Sequence, residues 1–152
     1  MDEFEIILDL SYKKALELVE AALKHENFGM ITRIDVQKTM KANLGVDFRP
    51  YTILGACNPP IAHRALEHDP RIGLLLPCNV SVETTQEGKT LVRIADPAQT
   101  INCSDNNDPV LKEIAEEMRK LLLKVADLLR GDIHSVDEHG KPWERLSSLT
   151  DL

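Results

Sequence analysis

Val80-Ser81-Val82-Glu83-Thr84-Thr85-Gln86-Glu87-Gly88-Lys89-Thr90-Leu91-Val92-Arg93-Ile94 reads as two short strands joined by the turn Gln86-Glu87-Gly88-Lys89. A hairpin is antiparallel, so it disfavours a purely parallel, doubly wound sheet. Upstream, Phe4 to Leu10 is a strand candidate. Ser11 then caps a helix carrying Ala15, Leu16, Val19, Ala22 and Leu23 at helical spacing, and Asn27-Phe28-Gly29 ends it. Met30, Thr32 and Ile34 alternate with Ile31, Arg33 and Asp35 as a strand. Asp35 caps a short helix through Val36, Met40 and Leu44 that Gly45 closes. Arg49-Pro50-Tyr51 opens a strand, Thr52 to Cys57. Asn58 caps the next helix with Pro59 in its first turn and Ile61, Ala62, Ala65 and Leu66 facing inward. Ile72 to Leu76 reads as a strand broken from Val80 to Thr85 at Pro77.

Downstream, Asp108-Pro109 begins the longest helix, to Arg130, with Gly131 beyond it. Its stripe is Val110, Leu111, Ile114, Met118, Leu121, Leu122, Val125 and Leu129. Acidic residues lie early and basic ones late, matching the helix dipole. The order β-α-β-α-β-α-β-β-α predicts an α+β domain over 1–131. Its mostly antiparallel sheet has about five strands, with helices on one face and a long C-terminal helix. Residues 132–152 are polar, hold the single tryptophan, Trp143, and read as a tail.

Composition narrows the function classes. The 152-residue chain is one domain's worth, 43% hydrophobic and 28% charged. A formal charge of −7 and 4% aromatic residues argue against nucleic acid, which attracts basic faces and aromatic stacking platforms. The apolar runs, such as Ile6-Ile7-Leu8, fall far short of the ~20 residues of a membrane span, so no membrane partner is expected. An acidic start, three cysteines and no C-x-x-C point to free thiols in a reducing, cytoplasmic setting. No nucleotide-loop, hydrolase-elbow or zincin motif is present in the sequence.

The chemistry-bearing residues gather between Arg49 and Asn79. Cys57-Asn58-Pro59-Pro60 sits where a strand feeds a helix N-terminus, where dipole and N–H groups favour anions and lower a thiol's pKa, although its two prolines remove two of the donors an anion would use. A second Cys-Asn pair, Cys78-Asn79, follows Pro77, and His63 lies on the intervening helix. On neighbouring strands, two thiols, two amides and an imidazole would converge. Cys57, Cys78 and His63 are then soft-metal candidates, although the spacing is not that of a zinc module. Cys57 with His63 is the candidate nucleophile and proton partner. Each also has a purely structural reading: packing for the cysteines, an N-cap for Asn58. Arg49 and Tyr51, flanking a proline, suit a ligand carboxylate or phosphate, and Tyr51 reads equally as half-buried core. Together with Asn58 and Asn79 they form the candidate ligand-binding set. His25, His68, His134 and His139 read as solvated surface, and Cys103 as a surface thiol in a polar loop.

The run Gly45-Val46-Asp47-Phe48-Arg49-Pro50-Tyr51-Thr52-Ile53-Leu54-Gly55-Ala56-Cys57-Asn58-Pro59-Pro60-Ile61-Ala62-His63-Arg64-Ala65-Leu66, with Ile72-Gly73-Leu74-Leu75-Leu76-Pro77-Cys78-Asn79-Val80, resembles the bacterial and archaeal family of domain of unknown function 302. The resemblance spans roughly residues 4 to 130. It implies a small α+β fold, distantly like a TATA-binding-protein half-domain, and a homodimer. It implies no activity or cofactor. The family pattern passes through Arg49, Tyr51, Cys57, Asn58, His63, Cys78 and Asn79. Three functional readings stay open: a homodimeric binding module for a small ligand, anion or soft metal at the Cys-Asn corner; a thiol enzyme using Cys57 and His63; and a non-catalytic interaction domain. The first is preferred, so the chain is read as a binder before an enzyme.

Overall fold

The computed structural model describes residues 2–102 and 108–131. The expected 132–152 tail with Trp143, together with Cys103, His134 and His139, lies outside the described residues. In chain order the elements are β1 (Glu5–Leu8), α1 (Tyr12–His25), β2 (Gly29–Asp35), α2 (Val36–Leu44), β3 (Tyr51–Cys57) and α3 (Pro59–His68), then a 3-10 turn (Pro70–Leu74), β4 (Cys78–Thr84), β5 (Thr90–Ile94), α4 (Pro97–Asn102) and α5 (Pro109–Arg130). The strands form one sheet in the order β1-β5-β4-β3-β2, with every neighbouring pair antiparallel. The α+β expectation, the five strands and the long last helix are all present.

Local signals set the helix boundaries. Ser11 Oγ accepts from Lys14 N at 3.3 Å, and Asp35 Oδ1 from Lys38 N at 3.0 Å. Asp108 Oδ1 accepts from both Val110 N and Leu111 N. Each satisfies a first-turn N–H that has no partner within its helix. Gly131 closes α5 at φ 74°, a left-handed conformation that glycine adopts without a Cβ clash.

Two elements differ from expectation. Ile72 to Leu76 is not a strand: Asp69 caps a 3-10 turn, accepting from Arg71 N at 3.0 Å, and only Ile72 is buried. A branched apolar run between prolines looks like a strand, but the Asx cap and Pro70 at the turn's start win locally. The strand resumes at Cys78, after the cis Leu76–Pro77 bond. The short α4, Pro97–Asn102, has no counterpart in the elements expected from the sequence. Leu66 and Val110, placed inward by periodicity, are exposed at 40% and 42% because they lie at the margins of their helices' packed stripes.

Register sorts the sheet's side chains onto two faces. Ile6, Leu8, Val92, Ile94, Val80, Val82, Leu54 and Ala56 are buried on one face and join Val19, Leu23, Leu122 and Val125 of α1 and α5 in a single core. The opposite face is open. One row across it runs Glu5, Arg93, Ser81, Ile53, Ile34, and the next Ile7, Leu91, Glu83, Tyr51. An antiparallel sheet with one wet face usually carries polar residues there; five of these nine are apolar or aromatic. In α2 no residue is buried.

Candidate functional site

β3 carries the sequence-predicted residues at its two ends. Its seven residues, at ~3.3 Å each, separate those ends by about 20 Å. The expected ligand set is therefore divided, with Arg49 and Tyr51 at one end and Asn58 and Asn79 at the other.

At the far end β3 and β4 are neighbours, as convergence required, but Ala56 rather than Cys57 pairs with Cys78. The two thiols consequently leave the sheet on opposite faces. Cys78 is a core residue whose Sγ lies 3.2 Å from Met118 Sδ of α5. Burial, with a smaller contribution from Cys57, pushes its thiol up to about 11. Partial burial pushes the Cys57 thiol up as well. Both shifts oppose the thiolate that a nucleophile or metal ligand needs. Asn58 is buried and serves as the α3 cap, its Oδ1 accepting from Ile61 N at 3.4 Å. The His63 side chain is 76% exposed, 3.7 Å from Glu67 one turn on. Among the described residues no hydrogen bond or ion pair joins it to Cys57, and no cluster of three or more His, Cys, Asp or Glu is placed to hold a metal. Asn79 is exposed on the open face, and its carbonyl accepts from Ala95 N. His68 is exposed, as solvated surface is, and its Nε2 also sits 2.7 Å from Asp108 Oδ2, tying the end of α3 to the start of α5.

Between the two ends stands Gly55. A Cβ there would come within 2.1 Å of Thr32 Oγ1 and 2.7 Å of Pro77 Cγ. These side chains close over the strand and mark off the Cys57 end of the open face.

The near end is organised by a residue the sequence did not single out. Glu83 of β4 lies directly across from Tyr51, with its side chain 10% exposed although it stands on the open face. Arg49 Nε donates to Glu83 Oε1 at 3.0 Å, and Arg93 Nη1 donates to Oε2 at 2.5 Å. The Arg49 guanidinium lies 4.5 Å from the Phe48 ring centroid and 5.7 Å from that of Tyr51. Glu5, on β1, is 3.9 Å from Arg93 Nε. One carboxylate thus fixes two guanidiniums, and two rings hold one of them by cation–π contact. Arg93 and Glu83 pack diagonally across β4 and β5, so the hairpin contained the signal, but only its register reveals it.

The fold is thus an open-faced antiparallel sheet backed by two long helices, with an Arg-Glu-Arg centre on its uncovered side. The chain belongs to the family described as Domain of unknown function DUF302, which matches residues 4–129. It is similar to the crystal structure of an uncharacterized conserved DUF302 protein from Bacillus stearothermophilus. That likeness has a TM-score of 0.74 and 31% identity, covering 82% of this chain and 94% of the other. No curated protein matches the chain. The family carries no assigned function. No helix among the described residues is long and apolar enough to cross a membrane.

Proposed function

We propose that the protein is a small-molecule binding module whose ligand lies on the open sheet face beside Arg49, Glu83 and Arg93. The observation that carries this reading is Glu83, a nearly buried carboxylate on an uncovered face, gripped by two half-exposed arginines. Ion pairs with one partner this wet contribute only about 0–1 kcal/mol, so stability alone accounts poorly for the arrangement. Its effect is to orient two planar donor forks around one point. The far end offers less: there Asn58 is committed to its helix cap and Cys78 to the core.

Native mass spectrometry of the freshly purified, reduced chain tests the reading. A small molecule held through buffer exchange, and lost in Ser81→Trp, is expected, because Ser81 pairs with Arg93 in the middle of that face. A mass that persists in Ser81→Trp would overturn it. So would the absence of any mass, with no compound of a metabolite library moving the amide resonances of Ser81, Leu91 and Arg93.

A second observation favours a pair of copies. An isolated helix as short as α2 is marginal without packing, yet α2 buries no residue and leaves Leu44 68% and neighbouring Val46 45% exposed. Its Lys38 and Lys41 suit a second copy of a chain whose net charge is −7. The expected result is a dimer by light scattering that Leu44→Glu converts to monomer; a monomeric parent refutes pairing. The setting we propose is cytoplasmic, supported by the unbridged thiols of Cys57 and Cys78.

A further inference from the structure

Resting on the open-face reading, we infer that the ligand is a small organic monocarboxylate with a compact apolar body, its carboxylate on Arg49 and Arg93 and its body over Ser81 and Ile53. Three features of the face lead there.

The first is donor geometry. A guanidinium has five N–H donors in a planar fork. Glu83 occupies Nε of Arg49 and Nη1 of Arg93, which leaves most of both forks for a second oxyanion. Both arginine side chains are close to half exposed, at 48% and 43%. Planar forks match a planar carboxylate.

The second is charge. Glu83, bonded directly to both arginines, leaves one positive charge between them, and Glu5, 3.9 Å from Arg93 Nε and 41% exposed, offsets part of it. This balance complements a single negative charge, and a phosphate dianion exceeds it.

The third is shape. Along the row from Arg93, the small Ser81 stands between the arginine and Ile53, with Ile34 beyond. Strands about 4.8 Å apart place Ile53 roughly 10 Å from Arg93. A shallow polar step beside an apolar one accepts a body the size of a phenyl ring. Gly55, roofed by Thr32 and Pro77, limits the length available along β3.

The experiment is a heteronuclear NMR titration of the full chain with four probes: phenylacetate, phenylacetamide, acetate and phenyl phosphate. Phenylacetate should bind at least tenfold more tightly than each of the others and shift Ser81, Leu91, Arg93 and Ile53. Arg93→Gln and Arg49→Gln, both at exposed positions, should each weaken it about tenfold or more, as expected for loss of a charge-assisted bond. Arg49→Lys should fail to restore it, because a point charge lacks the fork. Equal binding of phenylacetamide, tighter binding of phenyl phosphate, or undiminished binding by Arg93→Gln each overturns the inference. If phenylacetate fails while Ser81→Trp still strips a co-purifying molecule, the carboxylate assignment falls and the open-face reading stands. If neither occurs, both fall.

Discussion

Gly55→Ala adds a single methyl group at the most confined point of the sheet. The new Cβ would lie 2.1 Å from Thr32 Oγ1 and 2.7 Å from Pro77 Cγ, in gaps that real Cβ contacts do not tolerate. The intruding atoms come from β2 on one flank and from the approach to β4 on the other, so shifting β3 away from one drives it into the other. Overpacking of this kind costs about 1–3 kcal/mol, and clamping from both flanks puts this site in the upper half of that range. Replacing glycine restricts the unfolded chain and returns about 0.4–1 kcal/mol. The net expectation is a loss of about 1–2 kcal/mol, read as a lower urea midpoint at unchanged slope. Thr32→Ala removes the nearer obstacle and leaves Pro77 Cγ at 2.7 Å, so the double variant should recover part of the loss. A double-mutant cycle should give a favourable coupling of about 1 kcal/mol. Gly55→Ala within 0.5 kcal/mol of the parent, or a coupling of zero, would refute the clamp.

Three further outcomes follow from the same structure. The Arg71 guanidinium bonded to Asp69 holds its carboxyl down to about 2, against about 3.9 for a free aspartate. Because the folded value is the lower one, the linked stability is complete above the free value and is shed as pH falls toward 2; Asp69→Asn should flatten that acid limb, and an unchanged limb refutes the pairing. Iodoacetamide at pH 7 should alkylate Cys57 slowly and Cys78 hardly at all, since burial raises both thiols; labelling of either at the rate of N-acetylcysteine contradicts this. Asn58→Ala should cost about 0.5–2 kcal/mol in urea unfolding by removing the α3 cap, with Asn58→Asp retaining most of it; equal stability of the alanine variant sinks the capping role.

Elements with a local physical cause could be read from the sequence. Ser11, Asp35, Asn58 and Asp108 announced their helices because each cap acts within three residues of itself. The turn at Gln86 to Lys89 announced its hairpin for the same reason, with Gly88 at φ 78°. What depends on register could not be read in this way. Whether Cys57 meets Cys78 turns on a one-residue offset between strands separated by a helix, and that offset sends the thiols to opposite faces. The same register brings Glu83 beside Tyr51, Arg49 and Arg93, residues with no sequence pattern in common. Arg49 and Tyr51 were found through the composition of the Arg-Pro-Tyr stretch, but the carboxylate that organises them was not. The Ile72 to Leu76 misreading has a different origin: Asp69 and Pro70 act before the run begins and commit it to a 3-10 turn.

The strand order also sets a timetable for synthesis. β1 precedes the other described strands in the chain, yet among the described residues its one strand partner is β5, with Glu5 opposite Arg93 about 90 residues later. At roughly 5–20 residues per second, that partner is delayed by about 4–18 s. Throughout that interval Phe4, Ile6 and Leu8, all buried in the finished fold, have no strand to lie against. β2, β3 and β4 are neighbours and can assemble meanwhile. The nascent chain therefore grows its sheet from one edge inward and keeps its first strand waiting until the last has emerged.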